Sequence, residues 1–503
     1  MSEPFYITTA ISYPNGPPHI GHAYEAIAAD VIARFQRARG RDVRFQTGTD
    51  EHGLKMAQAA RAEGLEQRAF ANKMSRLFQD MCDKLNVSYD RFILTSQPDH
   101  YRASQAIWSA MEANGDLYLG RYEGWYSVRD EAYYDDSELI VGDGGEKLSP
   151  QGTPVEWTVE ESWFFKLSAY QQKLLDLYAE QPKFIQPESR RNEVLRFVEG
   201  GLSDLSISRT SFDWGVPVPG SPGHVMYVWL DALTNYITGL GYPDNTELWR
   251  RYWPADVHLI GKDVVRFHAV YWPAFLMSAG IAVPKQVYGH GFLLTRGEKM
   301  SKSVGNVVDP MVLADRFGVD ALRYFLLREV SFGQDGSYSP EAIVNRANAE
   351  LANSFGNLAQ RTLSMVVKNL DGILPAPGKA TEDAELLDLV RKAAGEELPE
   401  AFNRLAFSVG IEAWLRAVFA CNAYVDAQAP WALRKTDPER MAAVLGTLVA
   451  AVRELTRAIG PIIPESADKL LALIHAGDGG APIPQPTPLF PRLELPEDEE
   501  AAA

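Results

Sequence analysis

The chain has 503 residues, 46% of them hydrophobic and 23% charged, with a formal net charge of −17. That length calls for two or three domains, and that composition excludes a disordered or fibrous chain. Two cysteines, Cys82 and Cys421, cannot staple a secreted scaffold, and no run reaches the ~20 apolar residues of a membrane span. With no leader pattern in the opening MSEPFY, a cytoplasmic protein is expected. In chain order, Phe5–Tyr13 reads as a strand, Ala23–Arg39 as a helix ending at Gly40, and Val43–Thr49 as a second strand. Helix patterns follow from about Lys55 to Asn114. This order predicts an α/β fold with a doubly wound, Rossmann-like parallel sheet. From Leu117 to Val225, tyrosines, tryptophans and Gly-Asp turns predict small antiparallel strands inserted into the larger domain. The α/β pattern then resumes with VHLIG as a strand, VVRFHAVYWPAFLMSAG as a helix capped by Gly280, and QVYGHGFLLT as a strand. From about Pro340 the strand signals stop and amphipathic helices follow, with a linker at Pro375 and Pro377.

Two short stretches carry the chemistry. PNGPPHIGHA, residues 14–23, joins the first strand to the first helix. A helix N-terminus offers amide donors and a positive dipole end, Gly21 allows close approach, and His19 and His22 can donate to phosphate oxygens. The same pair could be part of a zinc site or an ordinary cap, so the stretch alone leaves all three open. RGEKMSKSVGN, residues 296–306, sets Lys299 and Lys302 among Met300, Ser301 and Ser303, a set suited to a polyphosphate or to a solvated basic loop. No P-loop or dinucleotide fingerprint is present. The run Arg34, Arg37, Arg39, Arg41 and Arg44 reads as a solvated helix face and turn rather than a nucleic-acid patch.

HIGH (His19–His22) and KMSKS (Lys299–Ser303), intact and in this order, resemble class I aminoacyl-tRNA synthetases, and nearly the whole chain resembles the methionyl-tRNA synthetase family. The resemblance implies activation of L-methionine with ATP and Mg2+ to methionyl-adenylate, then transfer to the 3′ end of initiator and elongator tRNA(Met). It assigns the catalytic work to His19, His22, Lys299 and Lys302. It assigns ATP contacts to Gly21, Gly261, Asp263, Met300, Ser301 and Ser303. Methionine contacts fall on Ile11, Tyr13, Asp50, Trp229, Ala232, Tyr236 and His268. Anticodon contacts fall on Asn357, Arg361 and Trp431, in NLAQR and QAPWALRK. Leu233 stands where the family often has proline.

The implied domains are a Rossmann-like catalytic half at 1–116, a connective insertion at 117–225 and a second catalytic half at 226–298. A KMSKS and stem-contact region at 299–345, an all-α helical-bundle anticodon domain at 346–485 and a tail at 486–503 complete them. Ser127 and Asp130 stand where relatives carry a first zinc-knuckle cysteine pair, and GGEKLSPQGTP offers no second pair. No structural zinc is therefore expected, and aromatic packing and turns should hold the insertion. The chain stops soon after the helical region, so a monomer is expected. Leucine, isoleucine and valine synthetases would need a larger insertion, and the cysteine enzyme needs zinc ligands that are missing here. A nucleotidyltransferase would be shorter, and intact motif residues argue against an inactive tRNA-binding relative.

Overall fold

Pro4–Thr9 is buried along all but its first residue and forms β1, the centre of a parallel sheet whose strands are covered on both faces. The structure is a computed structural model that describes residues 2–130, 132–142, 144–295, 298–299 and 307–495. The chain folds as two units, one made of Met1–Pro18, Gln36–Asp83 and Ser88–His290, the other of His19–Phe35, Lys84–Val87 and Gly291–Ala503.

In the first unit, β1 is followed by α1 (Ile20–Ala38, most of which belongs to the second unit), β2 (Asp42–Thr49), α2 (Leu54–Ala62), α3 (Gln67–Lys84), β3 (Arg91–Leu94) and α4 (Pro98–Ala113). An antiparallel excursion runs through β4 (Leu117–Ser127), β5 (Ala132–Tyr134) and β6 (Glu156–Phe165). Then come α5 (Gln171–Glu180), β7 (Ile185–Gln186), α6 (Glu188–Glu199), β8 (Leu205–Ser206), α7 (Val228–Thr238), β9 (Val257–Gly261), α8 (Trp272–Ser278) and β10 (Val287–His290). The main sheet has the order β3-β2-β1-β9-β10-β7, every pair parallel. The chain steps outward from β1 to β3, then returns to the other side of β1 with β9 in the register Ile7↔Val257. That reversal opens a crevice at the C-terminal ends of β1 and β9. The core behind it includes Trp108, Phe165, Tyr178, Leu230, Trp272 and Phe275.

Four expectations change. The first strand ends at Thr9 rather than Tyr13, because the Ala10 amide bonds Leu259 of β9 while the Ser12 amide bonds Gly48 of β2. The chain leaves the ladder there and crosses between two neighbours. The helical stretch after Lys55 hides β3, four residues long and too short for a period. The stretch 117–225 is not antiparallel throughout: α5 and α6 lie in it, and β7 joins the parallel sheet beside β10. QVYGHGFLLT likewise divides into β10 and a separate strand.

In the excursion, aromatic pairs across β4 and β6 (Trp125–Trp157, ring centroids 5.4 Å apart) supply the expected packing. A polar cluster adds to it. Ser149 and Thr153 donate to the Asp130 carboxylate at 2.5 and 2.7 Å, Tyr134 at 3.1 Å, and Ser127 meets Thr153 at 2.6 Å. Ser149 and Thr153 come from the very segment that lacked a second cysteine pair, so hydroxyls and one carboxylate tie together the two turns.

After His290 the second unit continues with β11 (Leu293–Thr295), β12 (Glu298–Lys299) and β13 (Gly336–Tyr338) in the order β12-β11-β13. Beyond Tyr338 the regular elements among the described residues are helices, including α10 (Asn357–Asn369), α11 (Phe407–Gln428), α12 (Pro430–Thr436) and α13 (Pro438–Ile459). Before them, α9 (Val319–Glu329) carries Arg323, fully buried. Its guanidinium bonds Asp30 of α1 at 2.6 Å and the carbonyls of Leu85, Pro461 and Ile462. A buried charge is tolerable only with such complete pairing.

Asp130→Ala leaves up to three hydroxyls without their acceptor and is expected to cost about 2–3 kcal/mol. Thermal unfolding and protease sensitivity of the 117–165 segment measure it, and a chelator should change neither.

Candidate active site

The loops after β1 and β2 deliver the first residues of the crevice. Asp50, mostly buried, follows β2 directly, and its amide bonds the Ser12 carbonyl at 2.8 Å, which holds the Ile11–Tyr13 segment against it. The Tyr13 hydroxyl accepts from the Met56 amide at 3.2 Å, and its ring packs on the cluster of Met56, Phe70 and Trp214. From α7 come Trp229, Ala232 and Tyr236 at helical spacing, with Ala232 and Tyr236 buried. Trp229 stacks on Phe267, centroids 3.8 Å apart and planes within 6°.

His268 lies on a π-helical turn, Phe267–Tyr271, that leads into α8. Its Nδ1 meets the Val264 carbonyl at 3.0 Å and must donate there, so Nε2 accepts the Tyr236 hydroxyl at 2.6 Å. Burial pushes its pKa down to about 4, against the Val264 hydrogen bond, so the ring is neutral at pH 7. His258 of β9, stacked under Tyr236 at 4.1 Å, is held low by burial and by His268. Uncharged rings suit an apolar ligand with a polarizable atom.

A buried cluster beside these residues went unnoticed in the sequence. Asp231 of α7 accepts from His52 Nδ1 and His100 Nε2, both at 2.7 Å, and all three side chains are buried. The Tyr101 hydroxyl meets His52 Nε2 at 3.0 Å, and Trp214 donates to the Glu51 carbonyl at 2.5 Å. Burial alone would raise the Asp231 carboxyl, but the two histidines hold it below the usual carboxylate range. The available signal was an aspartate set among the apolar helix neighbours Leu230, Ala232 and Leu233.

In the second unit, α1 begins at Ile20 rather than Ala23, which puts His22 in its first turn and His19 immediately before it. The two rings lie 3.8 Å apart. Each uses Nδ1 as an acceptor: His19 Nδ1 from the Gly21 amide and His22 Nδ1 from the His19 amide, both at 3.1 Å. Nε2 therefore carries the proton in the neutral form of both rings. The expectation of amide donors at this helix mouth is corrected. The amides of His19, Ile20 and Gly21 are taken by His22, by the Val308 carbonyl and by His19. A Cβ on Gly21 would also stand 2.9 Å from His19 Cε1. The glycine makes room for the histidine ring.

Gly261 ends β9, and a Cβ on it would lie 2.7 Å from the Asp263 carboxylate, so the two act as one turn. Lys299 is placed by its backbone alone, opposite Leu294 in β12. Met300, Ser301, Lys302 and Ser303 lie outside the described residues. Asn357 and Arg361 share a face of α10, and the Arg361 guanidinium stands 5.7 Å from the ring of Trp431 at the start of α12. Trp431 is 49% exposed. The arginine run is structural: Arg37 bonds Ser88 and Asp90, Arg41 the Pro4 carbonyl, and Arg44 the Gly239 carbonyl.

Two family models match this chain: "tRNA synthetases class I (M)" over residues 5–144 and 146–363, and "Anticodon binding domain of methionyl tRNA ligase" over 375–488. The chain belongs to the methionyl-tRNA synthetase family. The methionine–tRNA ligase of Brucella suis is 58% identical over 97% of this chain and 98% of its own length. That of Mycobacterium bovis is 55% identical over 99% of both. The solved methionyl-tRNA synthetase of Mycobacterium tuberculosis in complex with methionyl-adenylate superposes with a TM-score of 0.94 at 55% identity, covering 97% of this chain and all of that one. No helix among the described residues is long and apolar enough to cross a membrane.

The depressed His268 pKa has a consequence for stability. As pH falls, the unfolded chain takes up this proton first, so stability is intact above about 6.5 and falls between about 6.5 and 4. The loss from His268 is about 3 kcal/mol over that window, and His258 adds in the same direction. Denaturant midpoints measured across the window should fall, and His268→Gln should make the fall shallower.

Proposed function

We propose that the chain is a methionine–tRNA ligase working as a monomer in the cytoplasm on L-methionine, ATP and tRNA(Met), initiator and elongator. The observation that carries this reading is the full-length match to a methionyl-adenylate complex, together with a crevice at the sheet's switch point that collects an acidic residue and an aromatic wall. In the first step the methionine carboxylate attacks the α-phosphate of ATP and pyrophosphate leaves. In the second, a terminal ribose hydroxyl of tRNA attacks the adenylate carbonyl and AMP leaves. Neither step needs a protein nucleophile, so the work is positioning and charge stabilisation.

Asp50 accepts the α-ammonium as a charge-assisted partner. Ile11, Tyr13, Trp229, Ala232 and Tyr236 surround the thioether, with neutral His268 at its side. His19 and His22 donate Nε2–H to phosphate oxygens, and the fixed tautomers described above support that role. Lys299 and Lys302 neutralise charge that builds on the leaving pyrophosphate, with Met300, Ser301, Ser303, Gly21, Gly261 and Asp263 completing the nucleotide contacts. Mg2+ arrives on the triphosphate. No group of three or more metal-ligating side chains occurs among the described residues, and Mg2+ commonly takes its ligands from phosphates and water. The Asp130 hydroxyl cluster supports an insertion that holds together without zinc. Two buried free cysteines suit a reducing compartment. In the helical region, Trp431 stacks an anticodon base while Asn357 and Arg361 hydrogen-bond to base edges.

Amino-acid-dependent ATP–pyrophosphate exchange across the twenty amino acids tests the reading. Exchange with methionine alone is expected, and exchange with none or with another amino acid refutes it. Trp431→Ala should weaken tRNA charging by about tenfold or more while exchange stays at the wild-type rate, in keeping with about 1–3 kcal/mol per stacked base. Equal loss of both activities would make Trp431 a packing residue.

A further inference from the structure

Asp231 lies within α7 between two residues given to the methionine site, Trp229 and Ala232, yet its own carboxylate is fully buried. An ionised carboxylate without water costs several kcal/mol unless every oxygen is paired. Here each oxygen holds a histidine from a different segment: Oδ2 holds His52, in the loop after β2, and Oδ1 holds His100, in α4, both at 2.7 Å. Packing three segments together needs no charge, because an apolar side chain would do it at lower cost. What charge-assisted hydrogen bonds add is direction.

The direction is passed to Asp50, two residues before His52. Between them Glu51 is gripped on both sides. Its amide donates to Thr95 Oγ1 at 2.8 Å, and its carbonyl accepts from Trp214 Nε1 at 2.5 Å. The Asp50 amide is fixed on the Ser12 carbonyl at 2.8 Å, and the Thr95 hydroxyl also stands 3.5 Å from Asp50 Oδ1. The segment from Asp50 to His52 has no slack, so the angle of the His52 ring is coupled to the aim of the Asp50 carboxylate.

We infer that Asp231, acting through His52, is a positioning residue that aims Asp50 and thereby sets how strongly the site prefers a ligand bearing an α-ammonium group. The inference rests on the reading of Asp50 as the ammonium acceptor. The aim matters because a charge-assisted contact weakens steeply when its donor and acceptor are misaligned.

The test compares L-methionine with its desamino analogue, 4-(methylthio)butanoate, in ATP–pyrophosphate exchange on the full-length enzyme. The readout is the ratio of the analogue's inhibition constant to the KM for methionine. Asp231→Asn and His52→Ala should each lower this ratio about tenfold, through the KM for methionine, with the analogue's constant and the KM for ATP changed less than about twofold. His52→Asn keeps an N–H where Nδ1 stood and should retain the ratio, whereas His52→Gln places its N–H where Nε2 stood and should lose it. That pair decides the matter if Asp231→Asn fails to fold. Equal weakening of both ligands, an unchanged ratio, or Gln outperforming Asn at His52 overturns the inference. Asp50→Asn separates the two readings. If it leaves the ratio intact, Asp50 is not the ammonium acceptor and both fall. If it collapses the ratio while Asp231→Asn does not, only the role of Asp231 falls.

Discussion

The reversal of strand order between β1 and β9 is the constraint on which the first unit depends. Two parallel strands whose following segments leave in opposite directions cannot be covered by one connection, and a crevice remains at their C-terminal ends. Ile11 and Tyr13 follow β1, Asp50 follows β2, and Gly261 and Asp263 close β9. Each is placed by a strand end rather than by a long loop, which is why backbone hydrogen bonds such as Ala10 to Leu259 and Ser12 to Gly48 reach into the site. A site built this way inherits the rigidity of the sheet.

Around that crevice the protein uses buried polar groups in two distinct manners. His258 and His268 are neutral, stacked on or bonded to Tyr236, and serve as walls whose polarity is consumed internally. Asp231 with His52 and His100 is the opposite case, a charge kept ionised by paired donors. The second unit repeats the charged solution with Arg323 and Asp30, where one guanidinium gathers four carbonyls and a carboxylate. At the mouth of α1 the same economy of hydrogen bonds fixes tautomers. His19 and His22 absorb backbone amides on Nδ1 and turn a helix terminus into a pair of imidazole donors.

The sheet, the excursion and the helical region were legible because each has its own period. Strand-like runs such as Phe5–Tyr13 and Val43–Thr49 marked the parallel strands, tyrosines, tryptophans and turns marked the antiparallel insertion, and amphipathic spacing marked the helices. The short strands β3 and β7 were not legible, since two to four residues carry no period and their pairing is fixed only by distant partners. His19 and His22 came from a motif, and the residues assigned to methionine came from the family resemblance. Their hydrogen-bond roles did not, because a sequence does not say which ring nitrogen meets an amide. Ser149 and Thr153 were passed over for the same reason: hydroxyls have no spacing rule comparable to that of cysteine pairs. Asp231 left a trace, a charge between apolar helix neighbours, but its partners lie 131 and 179 residues away in sequence.

The central claim is that the switch-point crevice holds methionine through Asp50 and an aromatic wall. A crystal structure with a non-hydrolysable methionyl-adenylate analogue tests it most directly. The thioether is expected among Tyr13, Trp229 and Tyr236, with the ammonium on the Asp50 carboxylate. Density for the methionyl group elsewhere, or an ammonium turned away from Asp50, would contradict it.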